Sequence, residues 1–159
     1  MSRPNDVGVG TAICLLNEKG QMLMLRRKGS HEDGKLCWPG GWIDRADQTL
    51  LAAVQREALE EVGVTVKSAL QVEAKTSDIP EYGFRTVTIC FASPHTGWEV
   101  TPGLLEPDKC SEMLWVDLHG EDLDPDDLFP GLAEVIYRLR GFVQAVWWQD
   151  LYPWNQDRD

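Results

Sequence analysis

Apolar positions along this chain recur with two different periods, and the switches between them mark its elements. Val7 to Leu16 is rich in apolar and β-branched residues and reads as a strand. Asn17-Glu18-Lys19-Gly20 is a turn signal, and Gln21 to Arg27 alternates around Met22, Met24 and Arg26. The two segments therefore predict a hairpin. Lys28 to Lys35 is polar and glycine-containing, which predicts a loop. Leu36-Cys37-Trp38 is short and apolar and leads into Pro39-Gly40-Gly41. Val64 to Glu73 and Phe84 to Ala92 read as strands, with a loop at Ser77 to Gly83. Thr101 to Cys110 reads as a loop, Met113 to Val116 as a short strand, and Glu121 to Asp127 as an acidic loop.

The helical period appears twice. From Thr49 to Val62, Leu50, Leu51, Val54, Ala58 and Val62 form one apolar stripe at ~100° per residue. Thr49 is placed to cap this helix and Gly63 to end it. Glu57, Glu60 and Glu61 share the adjoining arc, with small Ala53 among them as a point where a ligand can approach. Pro130 to Val146 predicts a second helix that buries Leu132, Val135, Ile136, Leu139 and Val143. Strands mixed with two separated helices predict one α/β domain over residues 1–159, a mixed sheet sandwiched between helices. The aromatic tail, Trp147, Trp148, Tyr152 and Trp154, either packs on its own domain or forms a contact in a homodimer.

Charge narrows the function. The net charge of −11 opposes nonspecific binding to nucleic acid or to an anionic membrane. An anionic small molecule stays compatible, because a metal ion inverts the local sign of a site. Cys14, Cys37, Cys90 and Cys110 fit neither a zinc spacing nor a Cys-x-x-Cys motif, and read as free thiols in a reducing cytoplasm. No apolar run reaches the ~20 residues of a membrane span, and Met1 to Asp6 lacks a signal-peptide core. A cytoplasmic protein is expected.

Three glutamates within one and a half turns repel each other unless something positive faces them. Glycines nearby expose bare backbone. Hard divalent cations take oxygen ligands and commonly hold substrate phosphates as well. The stretch from Arg56 to Val64 behind Pro39-Gly40-Gly41 thus reads as a metal-dependent phosphate site.

Arg56-Glu57-Ala58-Leu59-Glu60-Glu61-Val62-Gly63-Val64 behind a glycine pair resembles the signature box of the Nudix hydrolases. Fourteen residues separate Gly41 from Arg56, one more than in that box. Counted back from Arg56, the family's first glutamate falls on Gln48; counted forward from Gly41, it falls on Asp47. The preferred alignment puts the extra residue in the loop Trp42 to Asp47, which leaves neutral Gln48 in place of an acid.

The resemblance implies the Nudix fold and cleavage of a nucleoside diphosphate linked to a further group. It implies Mg²⁺, or Mn²⁺ in its place, held by Glu57, Glu60, Glu61 and the carbonyl of Gly40. Glu60 and Glu61 would serve catalysis, and Arg56 would hold the glutamates by ion pairing. Val7 to Gly10, Arg26 to Ser30, Leu105 to Cys110 and Leu128 to Leu132 are similar to stretches of eukaryotic MutT-homologue nucleotide diphosphatases. That likeness implies hydrolysis of nucleoside triphosphates, including modified guanine nucleotides. Arg27 would then meet phosphate, Thr88, Phe129, Gly131 and Leu132 would lie near the base, and Gly41 would also bind substrate. The Arg26-Arg27-Lys28 cluster would supply positive charge. Pro80, 16 residues beyond Val64, keeps ADP-ribose or a nucleotide sugar as an alternative. A non-catalytic binding module is a third reading, motivated by Gln48.

Overall fold

Both faces of the first strand are apolar, and the fold covers both. The computed structural model describes residues 7–29, 31–79, 83–121 and 123–146. In chain order the elements are β1 (Val7–Leu15), β2 (Gln21–Arg27), β3 (Leu36–Cys37), β4 (Gly40–Trp42) and α1 (Leu50–Val62). They continue with β5 (Thr65–Val66), β6 (Leu70–Ile79), β7 (Phe84–Ser93), β8 (Trp98–Glu99), β9 (Cys110–Asp117) and α2 (Leu132–Val146). A four-stranded mixed sheet has the order β4-β1-β7-β6, with β1 and β7 parallel and the other pairs antiparallel. A second, antiparallel sheet has the order β3-β2-β9.

The core has two halves, one on each face of these sheets. Ile13, Leu15, Leu23 and Leu25 pack with Val54, Ala58 and Val62 of α1. Cys14, Leu16, Met22 and Met24 pack with Leu132, Val135, Ile136, Leu139 and Val143 of α2. Strands covered on both faces read as continuous apolar runs, so Leu23 and Leu25 are as buried as Met22 and Met24.

The expected layering of helices about a mixed sheet is therefore present, with two local differences. β1 and β2 do not form a hairpin. Beyond one bridge, Leu16 to Met22, they enter different sheets, because each has two apolar faces to bury. The segment from Val64 to Glu73 is not one strand but two, and β6 runs on to Ile79 where a loop was expected at Ser77. β3 to β9 otherwise extend the shorter apolar segments, since sheet pairing recruits polar neighbours such as Ser111 and Glu112.

α1 ends as its sequence implies. The Thr49 hydroxyl accepts from the Ala52 amide at 3.0 Å, and Gly63 takes the left-handed conformation at φ 70°. Such caps are worth about 1 kcal/mol each. Among the described residues no helix is long and apolar enough to cross a membrane. Pro80 and the aromatic tail from Trp147 lie outside the described residues.

Candidate active site

β4 lies against α1, and two glycines make that approach possible. A Cβ on Gly41 would sit 2.5 Å from Glu57 Oε1 and 2.8 Å from Oε2. A Cβ on Gly40 would collide with the Thr11 carbonyl and lie 2.7 Å from the Ala12 Cα. Gly40 is thus required by the backbone of β1, and Gly41 by the glutamate behind it. The Gly40 amide donates to Glu61 Oε2 at 3.2 Å.

The helix separates the three acids. Glu57 is buried and Glu61 is half-buried, one turn apart, both facing β4. Glu60 is exposed. Burial raises the Glu57 carboxyl above its ordinary range, and the neighbouring Glu60 and Glu106 add repulsion. Burial, then the Glu57 charge, pushes Glu61 up to about 8 against the lowering effect of the Gly40 amide. Ala53 is fully buried, so no ligand reaches the helix there. The expected approach at Ala53 is closed by that burial, although Glu60 on the same arc stays exposed.

Arg56 organises the acids. Its Nη1 donates to Glu57 Oε1 at 2.8 Å and to Glu60 Oε2 at 3.2 Å. Its Nη2 donates to the Trp42 carbonyl at 3.0 Å. Nε and Nη2 also grip both oxygens of Asp47, at 3.0 and 2.9 Å. This revises the reading of the insertion. Asp47, the position reached by counting forward from Gly41, presents its acid to Arg56, whereas neutral Gln48 is exposed. The hydrogen bonds from Arg56 hold the Asp47 carboxyl below its ordinary range.

Glu57 and Glu61 fit a hard divalent cation by chemistry. They are carboxylates one helical turn apart behind Gly41 and Gly40, with Arg56 pairing Glu57 and no cation paired with Glu61 among the described residues. Among the described residues no three His, Cys, Asp or Glu side chains already converge on one point. Arg56 instead spans Glu57 and Glu60, which a cation would share with it.

A cleft of about 850 Å³, open mouth included, runs from β4 across the mixed sheet. Its floor is made of small residues, Gly10 and Ala12 of β1 with Thr86, Thr88 and Cys90 of β7. Small side chains there leave room for a ligand lying on the sheet. Arg27, Gly41, Thr88, Phe129 and Leu132, all expected near substrate, line this cleft. Gly131 does not line it. It sits at φ 80° beside the stem of Lys75, where a Cβ would approach Cδ to 3.2 Å.

Arg27 lies with its guanidinium carbon 5.2 Å from the Phe129 ring centroid, and its Nε donates to the His31 carbonyl at 2.9 Å. Arg26 is not part of the site. It pairs with Glu112 at 2.9 Å and Asp127 at 3.1 Å, because alternation along β2 turns it away from its neighbour. Lys28 is likewise engaged, donating to the Pro107 carbonyl. The expected three-cation cluster thus contributes one cation to the cleft.

Sequence reasoning missed His31, Trp38, Trp42 and Lys75, all of which line the cleft. Lys75 comes from β6 on the far edge of the sheet. Its Nζ lies 4.6 Å from the Phe129 centroid and donates to the Pro130 carbonyl at 2.8 Å. Burial lowers its pKa. Nothing in a polar strand segment such as Glu73 to Ser77 signals a site residue. All four cysteines are free thiols, and burial pushes Cys37 up to about 12 and Cys90 to about 11, so neither is a nucleophile near neutrality.

A family model described as the NUDIX domain matches residues 6–139. The chain belongs to the NUDIX family. A curated relative, the isopentenyl-diphosphate Δ-isomerase of Corynebacterium glutamicum, is 32% identical over 120 residues, covering 65% of this chain and 58% of its own. The chain thus spans less than two thirds of the length of that relative. A MutT NUDIX hydrolase from Burkholderia pseudomallei has the same fold, with TM-score 0.74 and 24% identity over 85% of this chain and 99% of that one. So does the NUDIX domain of Shewanella oneidensis NrtR, solved with ADP ribose. Its TM-score is 0.64 and its identity 18%, over 89% of this chain and 90% of that one. The curated relatives that match are bacterial isomerases, which lends no support to a specifically eukaryotic likeness.

Proposed function

We propose that this NUDIX protein hydrolyses a nucleoside or deoxynucleoside triphosphate to the monophosphate and pyrophosphate, with Mg²⁺ as cofactor. The observation that carries the reading is one continuous cleft. It begins at Gly40 and Gly41, which lie against Glu61 and Glu57, passes over a floor of small residues, and ends at Phe129 and two cations. Phosphates suit the first end and a planar base the second.

In this reading Glu57 and Glu61 hold the cation, with the Gly40 carbonyl and Glu60 contributing. When bound, a divalent cation neutralises phosphate charge and makes water a stronger acid. Arg56 keeps Glu57 and Glu60 in place and is itself fixed by Asp47 and the Trp42 carbonyl. Glu61, whose carboxyl burial pushes up to about 8, would accept a proton from water. Glu57 and Glu61 interact, so the proton belongs to the pair. Arg27, beside Phe129, stands at the base end rather than among the phosphates, Gly41 lets the substrate lie close to backbone, and Thr88, Phe129 and Leu132 contact the base.

The isomerase relatives motivate a second diphosphate substrate. An isoprenyl chain is all hydrocarbon, however, and offers Lys75 and Thr88 no hydrogen-bonding partner, which argues against it. Product analysis tests the proposal. Incubation with Mg²⁺ should yield monophosphate and pyrophosphate in equal amounts; release of orthophosphate and diphosphate instead would refute it.

A further inference from the structure

The substrate end of the cleft has an unbalanced hydrogen-bonding character. Among the described residues, no Asp, Glu, Asn or Gln lines the cleft. Its charged side chains are Arg27 and Lys75, which donate and never accept. Neither pairs with a carboxylate among the described residues. The Trp38 indole nitrogen, another obligate donor, is buried and lacks a protein partner there.

Lys75 is also fixed in place. Its amine is held by the Pro130 carbonyl and the Phe129 ring, and Gly131 has no side chain to obstruct its stem. The sheet order β4-β1-β7-β6 sets it three strands from Gly40 and Gly41. At ~4.8 Å per strand this is roughly 14 Å from the strand that faces the acids. A substrate with its phosphates at the acids therefore presents its opposite end, the base, to Lys75.

We infer that Lys75 is a specificity-determining residue that reads a carbonyl oxygen on the base, so that the cleft selects oxo-bases over their amino counterparts. A carbonyl accepts from the ammonium. An exocyclic amine at the same position brings a second donor against it and finds no side-chain carboxylate or amide to receive its own hydrogens. The Pro130 carbonyl takes only one of the three ammonium hydrogens, and a base that covers the half-buried amine without accepting another leaves a charged donor short of a partner, so such a site discriminates beyond simple shape. The inference rests on the nucleotide reading above and adds which bases are taken.

Inosine and adenosine triphosphates differ in this feature with almost the same shape, and their specificity constants with Mg²⁺ test it. The wild-type protein should favour the inosine nucleotide by roughly tenfold or more. Lys75→Met keeps the stem and removes the donor; it should bring the ratio close to one, mainly by raising KM for the inosine nucleotide. Lys75→Arg should restore part of the preference. Equal wild-type constants, a ratio unchanged in Lys75→Met, or an equal loss for both nucleotides, as a phosphate contact would give, overturns the inference. Absence of turnover with any triphosphate would refute the hydrolase reading instead. Binding of inosine and adenosine monophosphates, followed by tryptophan fluorescence from Trp38 and Trp42, then decides the matter. Tighter inosine binding that Lys75→Met abolishes supports the role of Lys75, and equal binding refutes it.

Discussion

Arg56 grips both carboxylate oxygens of Asp47, at 3.0 and 2.9 Å, from the same guanidinium that reaches Glu57 and Glu60. Removing Asp47 frees Arg56 to pull the glutamates out of line without touching them directly. Asp47→Ala should lower kcat/KM by about 10- to 100-fold, the usual cost of losing a group that orients metal ligands. Gln48→Ala should change it by no more than about twofold, since surface substitutions away from such contacts are mild. Steady-state kinetics of the two variants checks this. The reverse ranking would restore Gln48 as the important position.

The two glycines of β4 should fail differently. Gly41→Ala drives a methyl into the Glu57 carboxylate, the mobile end of a side chain. It should cost about 100-fold or more in activity while shifting Tm by only a few degrees. Gly40→Ala drives a methyl into the backbone of β1. It should destabilise the fold by roughly 3 kcal/mol or more. Thermal unfolding measured beside activity separates the two. An active Gly41→Ala protein would show that Glu57 can relax with no functional loss.

Glu61 ties stability to pH. Its folded carboxyl titrates at about 8, above the ordinary glutamate range, so the folded state holds a proton that the unfolded chain has released. Stability from this group is full below the unfolded pKa, near ~4.3, and is lost as pH rises toward 8. In chelator, Tm should therefore fall across that window, and Glu61→Gln should flatten the decline. Mg²⁺ should raise Tm more at pH 8 than at pH 5. A metal-free Tm that rises steadily through the window would contradict the assignment.

The layers and α1 were legible because they rest on local rules. The 3.6-residue stripe ending at Val62, the Thr49 cap and the Gly63 stop are all contiguous in sequence. The acids could be located for the same reason. What could not be read depends on pairing between distant segments. β1 and β2 look like a hairpin until β7 and β9 are known to compete for their edges. Arg26 and Arg27 look equivalent until the pleat sends one to Glu112 and the other to Phe129. Asp47 and Gln48 differ by one position in an irregular loop, where no period decides which side chain turns inward. Lys75 joins the cleft only through sheet order, which the sequence does not display.

The most direct test of the account compares specificity constants for nucleoside triphosphates, ADP-ribose and isopentenyl diphosphate in parallel, with Mg²⁺, for the wild-type and Glu61→Gln proteins. The account predicts that a nucleoside triphosphate gives the highest kcat/KM, that excess chelator abolishes turnover, and that Glu61→Gln lowers it by at least about 100-fold with Tm preserved. A clear preference for ADP-ribose, isomerisation of isopentenyl diphosphate, or undiminished turnover by Glu61→Gln would contradict it.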